Sequence, residues 1–377
     1  MKKLILLGLS IFLLSGCSYS ELNDLAVVSA LGIDYSNNEF KLTAQVLDIK
    51  SSNDGSTTAS TLIYESSGKT IAKAIRNFSV RYPKNVYLGH LEFIVIDKEA
   101  ASRINDIFDY IMRSPEVRSS SYVLFCENET ANKILKPDNE VKDRFPVESL
   151  KTVLLDSKNR NGTIYDLTLE DFLSTYLKKG IDPVVPLVKT TNKKGMTATS
   201  VIIDNMAAFK NKNLLKSFSS DEAIAYNTIN NNYHDIVIDG KYKNNVFGAV
   251  IYNPKTSVDL KIKDNNIFVN IDISIDSKVI EISDKINLTD KKIQNAIKKE
   301  INKELKSYIY SLIDYSKKNN TETLGLKNTI YKNYYHDYSK FKNKNIYDEA
   351  KFTIKITNNM YRFGNINKGA WYYEWKN

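Results

Sequence analysis

Apolar and polar positions alternate along much of this chain, and the period switches between that of strands and that of helices. Residues 25–33 are apolar and residues 40–47 alternate, with the turn-forming residues 35–38 between them, so this stretch predicts a β-hairpin. The same reasoning predicts further strands at 61–65, 92–96 and 122–126. Apolar residues at helical spacing predict helices over 68–82, between Asp97 and Arg113, and over 130–135.

The middle of the chain has a weaker pattern. Residues 137–165 are polar and rich in turn formers, and residues 50–60 and 192–196 are predicted to be loops or linkers. Thr168 to Asp171 is predicted to form a capping box at the start of a helix that ends at Gly180. An extended segment is predicted to follow at 183–186. Strands are then predicted at 200–209 and 213–218, and a helix from Ser219 to about Asn231.

The C-terminal part carries the clearest periodicity. Strands are predicted at 236–238, 246–252, 258–262, 267–275 and 352–356. A long helix opens at Thr289, and its apolar stripe consists of Ile293, Ile297, Ile301, Leu305, Tyr308 and Leu312. We expect this helix to pack on the C-terminal sheet, since a single stripe needs only one sheet to cover it. A membrane or coiled-coil role is the alternative. The aromatic tail 371–375 is either a docking surface or a final strand.

These elements predict an α+β protein with three mixed α/β-layer domains, whose sheets are largely antiparallel or mixed. The predicted divisions are a signal peptide at 1–16, an N-terminal domain at 17–195, a middle segment at 196–245 and a C-terminal domain at 246–377. Within the N-terminal domain, residues 18–135 form the α+β core, and residues 136–195 hold the capped helix and a linker.

The first residues predict export and a lipid anchor. Lys2 and Lys3 precede an apolar run from Leu4 to Leu14, which as a helix would be about 16 Å long, too short for a hydrocarbon core of about 30 Å. This is typical of a secretory signal. Because small residues lead directly into Cys17, the stretch is typical of a bacterial lipobox, and Cys17 is the predicted lipid attachment site. An ordinary signal peptide with a chance cysteine is the alternative.

Composition narrows the function classes. The chain has 377 residues, of which 42% are hydrophobic, and a formal net charge of +9. Its basic residues are dispersed, which indicates solvated helix faces or, more weakly, attraction to an anionic bilayer. An exported chain without an arginine cluster among aromatic residues is not expected to bind nucleic acid. Cys126, the second of two cysteines, lies in an apolar run and is predicted to be a buried strand thiol, so no disulfide framework is expected.

Residues that could carry chemistry are sparse. His90, His234 and His336 are far apart, and no paired ligand spacing, nucleophile elbow or phosphate-binding glycine loop is present in the sequence. Gly89-His90 before a strand could orient a catalytic histidine or simply form a turn. Glu170 and Asp171 are explained by helix capping. We therefore expect no enzyme, no cofactor and no metal site.

Several segments in order resemble the Ger(x)C family, the lipoprotein C subunits of nutrient germinant receptors in spore-forming bacteria. The segments that carry the resemblance are the lipobox at 14–17, the run Glu21 to Asp34, Tyr87-Leu88-Gly89-His90, Met112 to Arg118, Ala207 to Lys210 with Asn213-Leu214, Glu349 to Ile356, and Arg362-Phe363-Gly364.

The resemblance implies three α+β domains, no catalysis and no direct small-molecule substrate. It also implies a lipid-anchored subunit on the outer face of the spore inner membrane, with a polytopic A subunit and a transporter-like B subunit as partners. One alternative is a solute-binding lipoprotein that delivers a nutrient to a membrane partner. It would need a cleft between two similar α/β lobes, and the antiparallel pattern after residue 246 argues against that. Another is an anchored hydrolase of envelope polymers, which would need a cleft with convergent polar groups.

Overall fold

The computed structural model describes residues 24–51, 57–126, 128–136, 146–191, 200–233, 235–243, 245–282 and 286–362. Within them the strands are β1 (Leu25–Ser36), β2 (Glu39–Ser51), β3 (Thr57–Gly68), β4 (Asn85–Tyr87), β5 (Phe93–Ile96), β6 (Tyr122–Cys126), β7 (Val184–Thr191), β8 (Ser200–Lys210), β9 (Asn213–Ser217), β10 (Asp235–Tyr242), β11 (Asn245–Lys263), β12 (Asn266–Ile282) and β13 (Ala350–Arg362).

The helices that the structure describes alternate with these strands in the first half of the chain and cluster after β12. They are α1 (Ile71–Arg81), α2 (Lys98–Ala101), α3 (Ile104–Arg113), α4 (Ala131–Leu135), α5 (Pro146–Asn161), α6 (Leu169–Tyr176), α7 (Ser220–Asn230), α8 (Lys291–Lys318), α9 (Leu326–Asn333), α10 (Tyr335–Phe341) and α11 (Ile346–Glu349).

The strands form two sheets. The first has the order β3-β2-β1-β5-β6-β7-β8-β9, with β4 paired beside the start of β1, and the second has the order β10-β11-β12-β13. At the centre of the first sheet β1, β5, β6 and β7 run parallel, whereas its flanks are antiparallel hairpins. In the second sheet only the β12–β13 pair is parallel. The α+β class expected from the sequence is confirmed.

Two-residue turns set the register of three hairpins. Both central residues have positive φ in the turns at Asn37-Asn38, Asn211-Lys212 and Asp264-Asn265. Such a pair of left-handed residues is the type I′ turn, whose twist matches that of the flanking strands. Asparagine and aspartate tolerate this conformation better than most residues, so polar turn pairs in the sequence mark these hairpins correctly.

Helices cover both faces of the first sheet. One face packs against α1, α2, α3 and α6 through residues such as Phe78, Ile104, Phe108 and Phe172, all at most 3% exposed. The other face packs against α4, α5 and α7 and shares a continuous apolar core with the second sheet and α8. The two sheets are therefore joined by common buried side chains.

The long helix α8 lies on the second sheet, as predicted. Its buried stripe of Ile297, Ile301, Leu305, Ile309 and Leu312 belongs to the same core as the alternating isoleucines and valine of β12. The helix starts one residue later than expected, because the Asp290 carboxylate rather than Thr289 caps it by accepting the Lys292 N–H at 2.7 Å.

Several local predictions were wrong. The polar stretch 137–165 contains α5, whose weak amphipathic pattern hides the buried residues Val147, Leu150 and Leu154. The helix expected between Asp97 and Arg113 is split into α2 and α3. Residues 50, 51 and 57–60, expected to be loop, extend β2 and β3, and the extended segment at 183–186 continues into β7.

The break expected at residues 253–257 is also absent. Asn253 and Pro254 interrupt the apolar pattern, but they sit in an irregularity of one 19-residue strand, β11. Proline cannot donate to a sheet ladder, and a bulge accommodates it without ending the strand. In the predicted middle segment, β8 pairs with β7 and β9 pairs with β8, so both strands belong to the first sheet. The three-domain division itself stays a prediction. Residues 192–196 and 371–375 lie outside the described residues.

Candidate functional site

The amino ends of the central parallel strands form one edge of the first sheet, which we call the amino edge. Here Leu25 of β1 pairs with Asn85 of β4, and the segments 88–92 and 114–121 lead into β5 and β6. Cys17, the predicted lipid attachment site, lies outside the described residues, and Asp24 follows it by seven positions. The amino edge is thus the described part of the body nearest in sequence to Cys17.

Two of the sequence motifs meet at the amino edge. The Leu88 N–H of the Tyr87–His90 motif donates to a carboxylate oxygen of Glu116, in the Met112–Arg118 motif, at 3.0 Å, although these two residues are 28 positions apart. A Cβ at Gly89 would lie 2.2 Å from the Tyr87 hydroxyl oxygen, so any side chain there would require the Tyr87 ring to move. His90 is exposed, and its ring lies in an edge-to-face arrangement with the Tyr87 ring at a centroid distance of 6.1 Å, which fits a turn residue.

The opposite end of the parallel strands, the carboxyl edge, holds a buried pair of carboxyl groups that the sequence did not reveal. Asp34 in β1 accepts the Ala131 N–H at 2.6 Å and the Asn132 N–H at 3.0 Å from the start of α4. Asp97 after β5 accepts the Ala100 N–H at 2.6 Å. Burial and the neighbouring Asp34 carboxylate raise the pKa of Asp97 to about 7, and burial also raises the pKa of Asp34. Asp97 can therefore carry a proton near neutral pH and donate it to Asp34.

A cavity of about 440 Å³ opens beside this pair. Its walls mix Asp34, Asp97 and Glu65 with Lys41 and Arg81. Crevices at the carboxyl ends of parallel strands are common ligand sites in open sheets. Here part of the polar lining is already engaged within the chain, since Glu65 forms an ion pair at 2.7 Å with a lysine at the end of α4 and accepts a hydrogen bond at 2.6 Å from the first turn of that helix.

Cys126 ends β6 at the same edge of the sheet. It is fully buried, as predicted, and burial raises the pKa of its thiol well above the usual value. A buried thiol that stays protonated is a poor nucleophile, so Cys126 serves as a core residue.

A polar seam joins the first sheet to the C-terminal body. We define it as residues 179–183 together with residues 320–328. One carboxylate oxygen of Asp182 accepts both the Thr321 hydroxyl at 2.9 Å and the Glu322 N–H at 2.8 Å. Farther along, the Asn328 N–H donates to the Gly180 carbonyl at 2.8 Å. Gly180 has a φ of +78°, and a Cβ there would lie 2.7 Å from backbone atoms of the facing segment.

A buried ion pair completes the seam. The Lys327 ammonium lies 3.5 Å from a carboxylate oxygen of Glu322, and both side chains are largely shielded from solvent. Burial raises the pKa of Glu322 to about 7, although Lys327 opposes the shift. Glu322 is therefore, after Asp97 at the carboxyl edge, a second carboxyl group that changes its charge near neutral pH.

A groove of about 880 Å³ runs along the seam, and we call it the seam groove. Its apolar lining includes Phe108 and Met112 of α3, Leu173 and Leu177 at the end of α6, and Phe209 of β8. Lysines from four separate segments surround it. They are Lys178, Lys210, Lys212, Lys327 and Lys342.

Over the same described ranges, no three histidine, cysteine, aspartate or glutamate side chains are grouped so that they could hold a metal ion. His336 is exposed on α10, and His234 lies outside the described residues. No helix in the described part has the length and apolar character needed to cross a bilayer.

Comparison with known proteins decides the family. A family model described as spore germination protein N-terminal domain matches residues 18–190, and one described as spore germination B3/GerAC-like, C-terminal, matches residues 204–364. The chain belongs to the Ger(x)C family of spore germination proteins. The resemblance expected from the sequence motifs is thereby confirmed. The C-terminal match begins within β8, so the first sheet of this Ger(x)C protein is built from both matched regions.

Individual relatives agree in length with the chain. It is 25% identical over 367 residues to spore germination protein KC of Bacillus subtilis (strain 168), covering 90% of this chain and 89% of the relative. It is also 25% identical to spore germination protein GerQC of Bacillus cereus, with 87% and 89% covered. The crystal structure of the GerBC protein superposes with a TM-score of 0.55 at 19% identity, covering 88% of this chain and 96% of GerBC, and shares the fold.

Proposed function

We propose that this chain is the lipid-anchored, non-enzymatic C subunit of a nutrient germinant receptor. It would sit on the outer face of the spore inner membrane and assemble with a polytopic A subunit and a transporter-like B subunit. The observation that carries the proposal is the family match across both sheets, from residue 18 to residue 364.

The position of Cys17 supports an orientation on the membrane. Seven residues, even fully extended, span at most about 25 Å. A lipid on Cys17 would therefore hold the amino edge near the bilayer and leave the carboxyl edge pointing away from it. Two or three acyl chains give a stable anchor, whereas a single chain holds a protein only marginally.

The Cys17→Ala variant tests the anchor and the assembly together. We expect it to lose palmitate labelling, to leave the membrane fraction, and to stop co-purifying with the A and B subunits from spore membranes. Cys126→Ala is the matched control, since it removes the buried cysteine and should leave all three properties intact. Equal labelling of the wild type and Cys17→Ala would overturn the anchor. Failure of the wild type to co-purify with either subunit would overturn the receptor role.

A solute-binding lipoprotein is the second candidate, and the cavity at the carboxyl edge favours it. The two sheets differ in strand order and direction, so they are not the similar lobes that such proteins close around a ligand. Calorimetric titration of the full chain with nutrients would decide between the two. Tight binding that is lost in Asp34→Asn would support solute binding, and no heat of binding would support the receptor subunit.

A further inference from the structure

The carboxylates that line the seam groove are already engaged, whereas several of its lysines have no ion-pair partner within the described part of the chain. Three carboxylates line it, and each is engaged within the chain. Asp109 pairs with an arginine one helical turn away at 3.0 Å, Asp182 accepts the two hydrogen bonds of the seam, and Glu322 pairs with Lys327. Lys210 donates to the Asn320 carbonyl. The remaining lysines, Lys178, Lys212 and Lys342, form no ion pair with any residue that the structure describes.

The apolar part of the groove is exposed to solvent beside these lysines. Leu177 is 70% exposed and Met112 is 59% exposed, whereas Phe108 and Phe209 beneath them are buried. Apolar side chains that are scattered singly over a surface need no explanation. Here they stand over a concave floor with unpaired cations at its rim, which is the anatomy of a binding site with an apolar centre and a charged rim.

From this arrangement we infer that the seam groove is a docking site for an acidic, amphipathic segment of a protein partner. Apolar side chains of the segment would cover Met112 and Leu177, and its aspartates or glutamates would face Lys178, Lys212 and Lys342. Charge complementarity selects an acidic segment over a basic one, since like charges across an interface are costly. The inference rests on the proposed function in one respect, namely that the partner is one of the membrane subunits of the receptor.

A defined peptide pair tests the chemistry without assuming the partner. The probe is a fluorescein-labelled peptide of about 15 residues with leucines on one helical face and glutamates on the other. The control peptide has the same label and leucines, with lysines in place of the glutamates. With the full-length protein in detergent, we expect the glutamate peptide to bind at least tenfold more tightly in fluorescence anisotropy. Equal binding of the two peptides, or tighter binding of the lysine peptide, would overturn the inference.

Surface variants locate the binding. Lys178→Glu and Lys342→Glu should each weaken binding of the glutamate peptide severalfold, and Leu177→Asp should do the same. Lys332→Glu on α9 and Val80→Asp on α1 are matched controls, because both residues are exposed and neither lines the groove. Controls that weaken binding as much as the groove variants would show non-specific attraction and overturn the inference.

Photo-cross-linking in spores tests the partner separately. A photoreactive residue at position 177 should cross-link to an acidic segment of a membrane subunit, and one at position 80 should not. A cross-link to lipid, to a second copy of this chain or to a basic segment would overturn the inference, as would no cross-link at all. Co-purification with the A and B subunits is scored in the same samples. If the complex forms without a groove cross-link, the docking site is wrong while the receptor role stands.

Discussion

The carboxyl edge and the seam each bury a carboxyl group whose pKa lies near 7, yet the two groups face opposite neighbours. Asp97 faces another carboxylate, Asp34, whereas Glu322 faces the ammonium of Lys327. Burial is the largest cause of the raised pKa in both places, because a low-dielectric surrounding disfavours the charged form.

The difference lies in what the neighbour does when the pH rises. At the carboxyl edge a second negative charge adds to the cost of ionisation, so the pair is most stable while it shares a proton. At the seam the lysine offsets part of the cost and lets Glu322 ionise at a lower pH than burial alone would allow. A buried carboxylate therefore destabilises the fold beside another carboxylate, and it can form an ion pair beside a lysine. The following substitutions separate the two cases.

The largest effect is expected for Lys327→Met, which removes the counter-charge of Glu322. We expect a loss of about 3 kcal/mol in the free energy of unfolding at pH 8, since breaking a buried ion pair leaves an uncompensated charge. At pH 5.5 the loss should shrink, because Glu322 is protonated there in the folded state. Urea denaturation at both pH values measures this, with the exposed Lys332→Met as control. A loss of the same size at both pH values would show that Lys327 acts by packing alone.

The opposite sign is expected for Asp97→Asn. Asparagine still caps α2, and its amide can donate to Asp34 as the protonated acid does. The folded-state pKa of Asp97 lies above its unfolded value of about 4, so the proton that it binds favours the folded state at low pH. This contribution is lost as the pH rises from about 4 through 7.

The variant should therefore gain stability over the wild type as the pH rises, by about 2 kcal/mol between pH 5 and pH 8. Urea midpoints across that range measure the gain, and Asp272→Asn at an exposed position of β12 is the control. A constant difference between variant and wild type would mean that Asp97 does not hold a shared proton.

The smallest effect is expected for Asn227→Ala, and it should not depend on pH. The buried Asn227 amide donates to the Gly162 carbonyl at 2.7 Å and to the Ile164 carbonyl at 3.1 Å, which ties α7 to the segment after α5. Leaving buried carbonyls unpaired costs about 1 to 2 kcal/mol. The exposed neighbour variant Asn230→Ala is the control. A pH-dependent loss would show that a titrating group lies in the same network.

The local pattern of apolar and polar residues was sufficient to predict an element where one of its faces is buried and polar turn residues mark its ends. The hairpin at Asn37-Asn38, the alternation in β12 and the stripe of α8 were all predicted, because each pattern repeats over many residues. The prediction failed for α5, since few of its side chains carry the apolar stripe. It failed again at Asn253-Pro254, because these residues usually end a strand but here occupy an irregularity within the long strand β11.

The candidate sites were largely invisible to local reasoning. Asp34 and Asp97 are ordinary single carboxylates in the sequence, and only the parallel pairing of β1 with β5 brings them together. Likewise, 140 positions separate Asp182 from Glu322. No periodicity extends over such a distance, so neither pair could be expected.

The sequence by itself determined the family, the α+β class and the buried state of Cys126, because these depend on short motifs and on local alternation. The anchor at Cys17 stays a prediction from the sequence. Only the tertiary structure decided which charges meet, how the two sheets are joined and where apolar side chains remain exposed to solvent. Those features arise between segments that are remote in the chain, and their free energy depends on burial, which exists only once the sheets have packed.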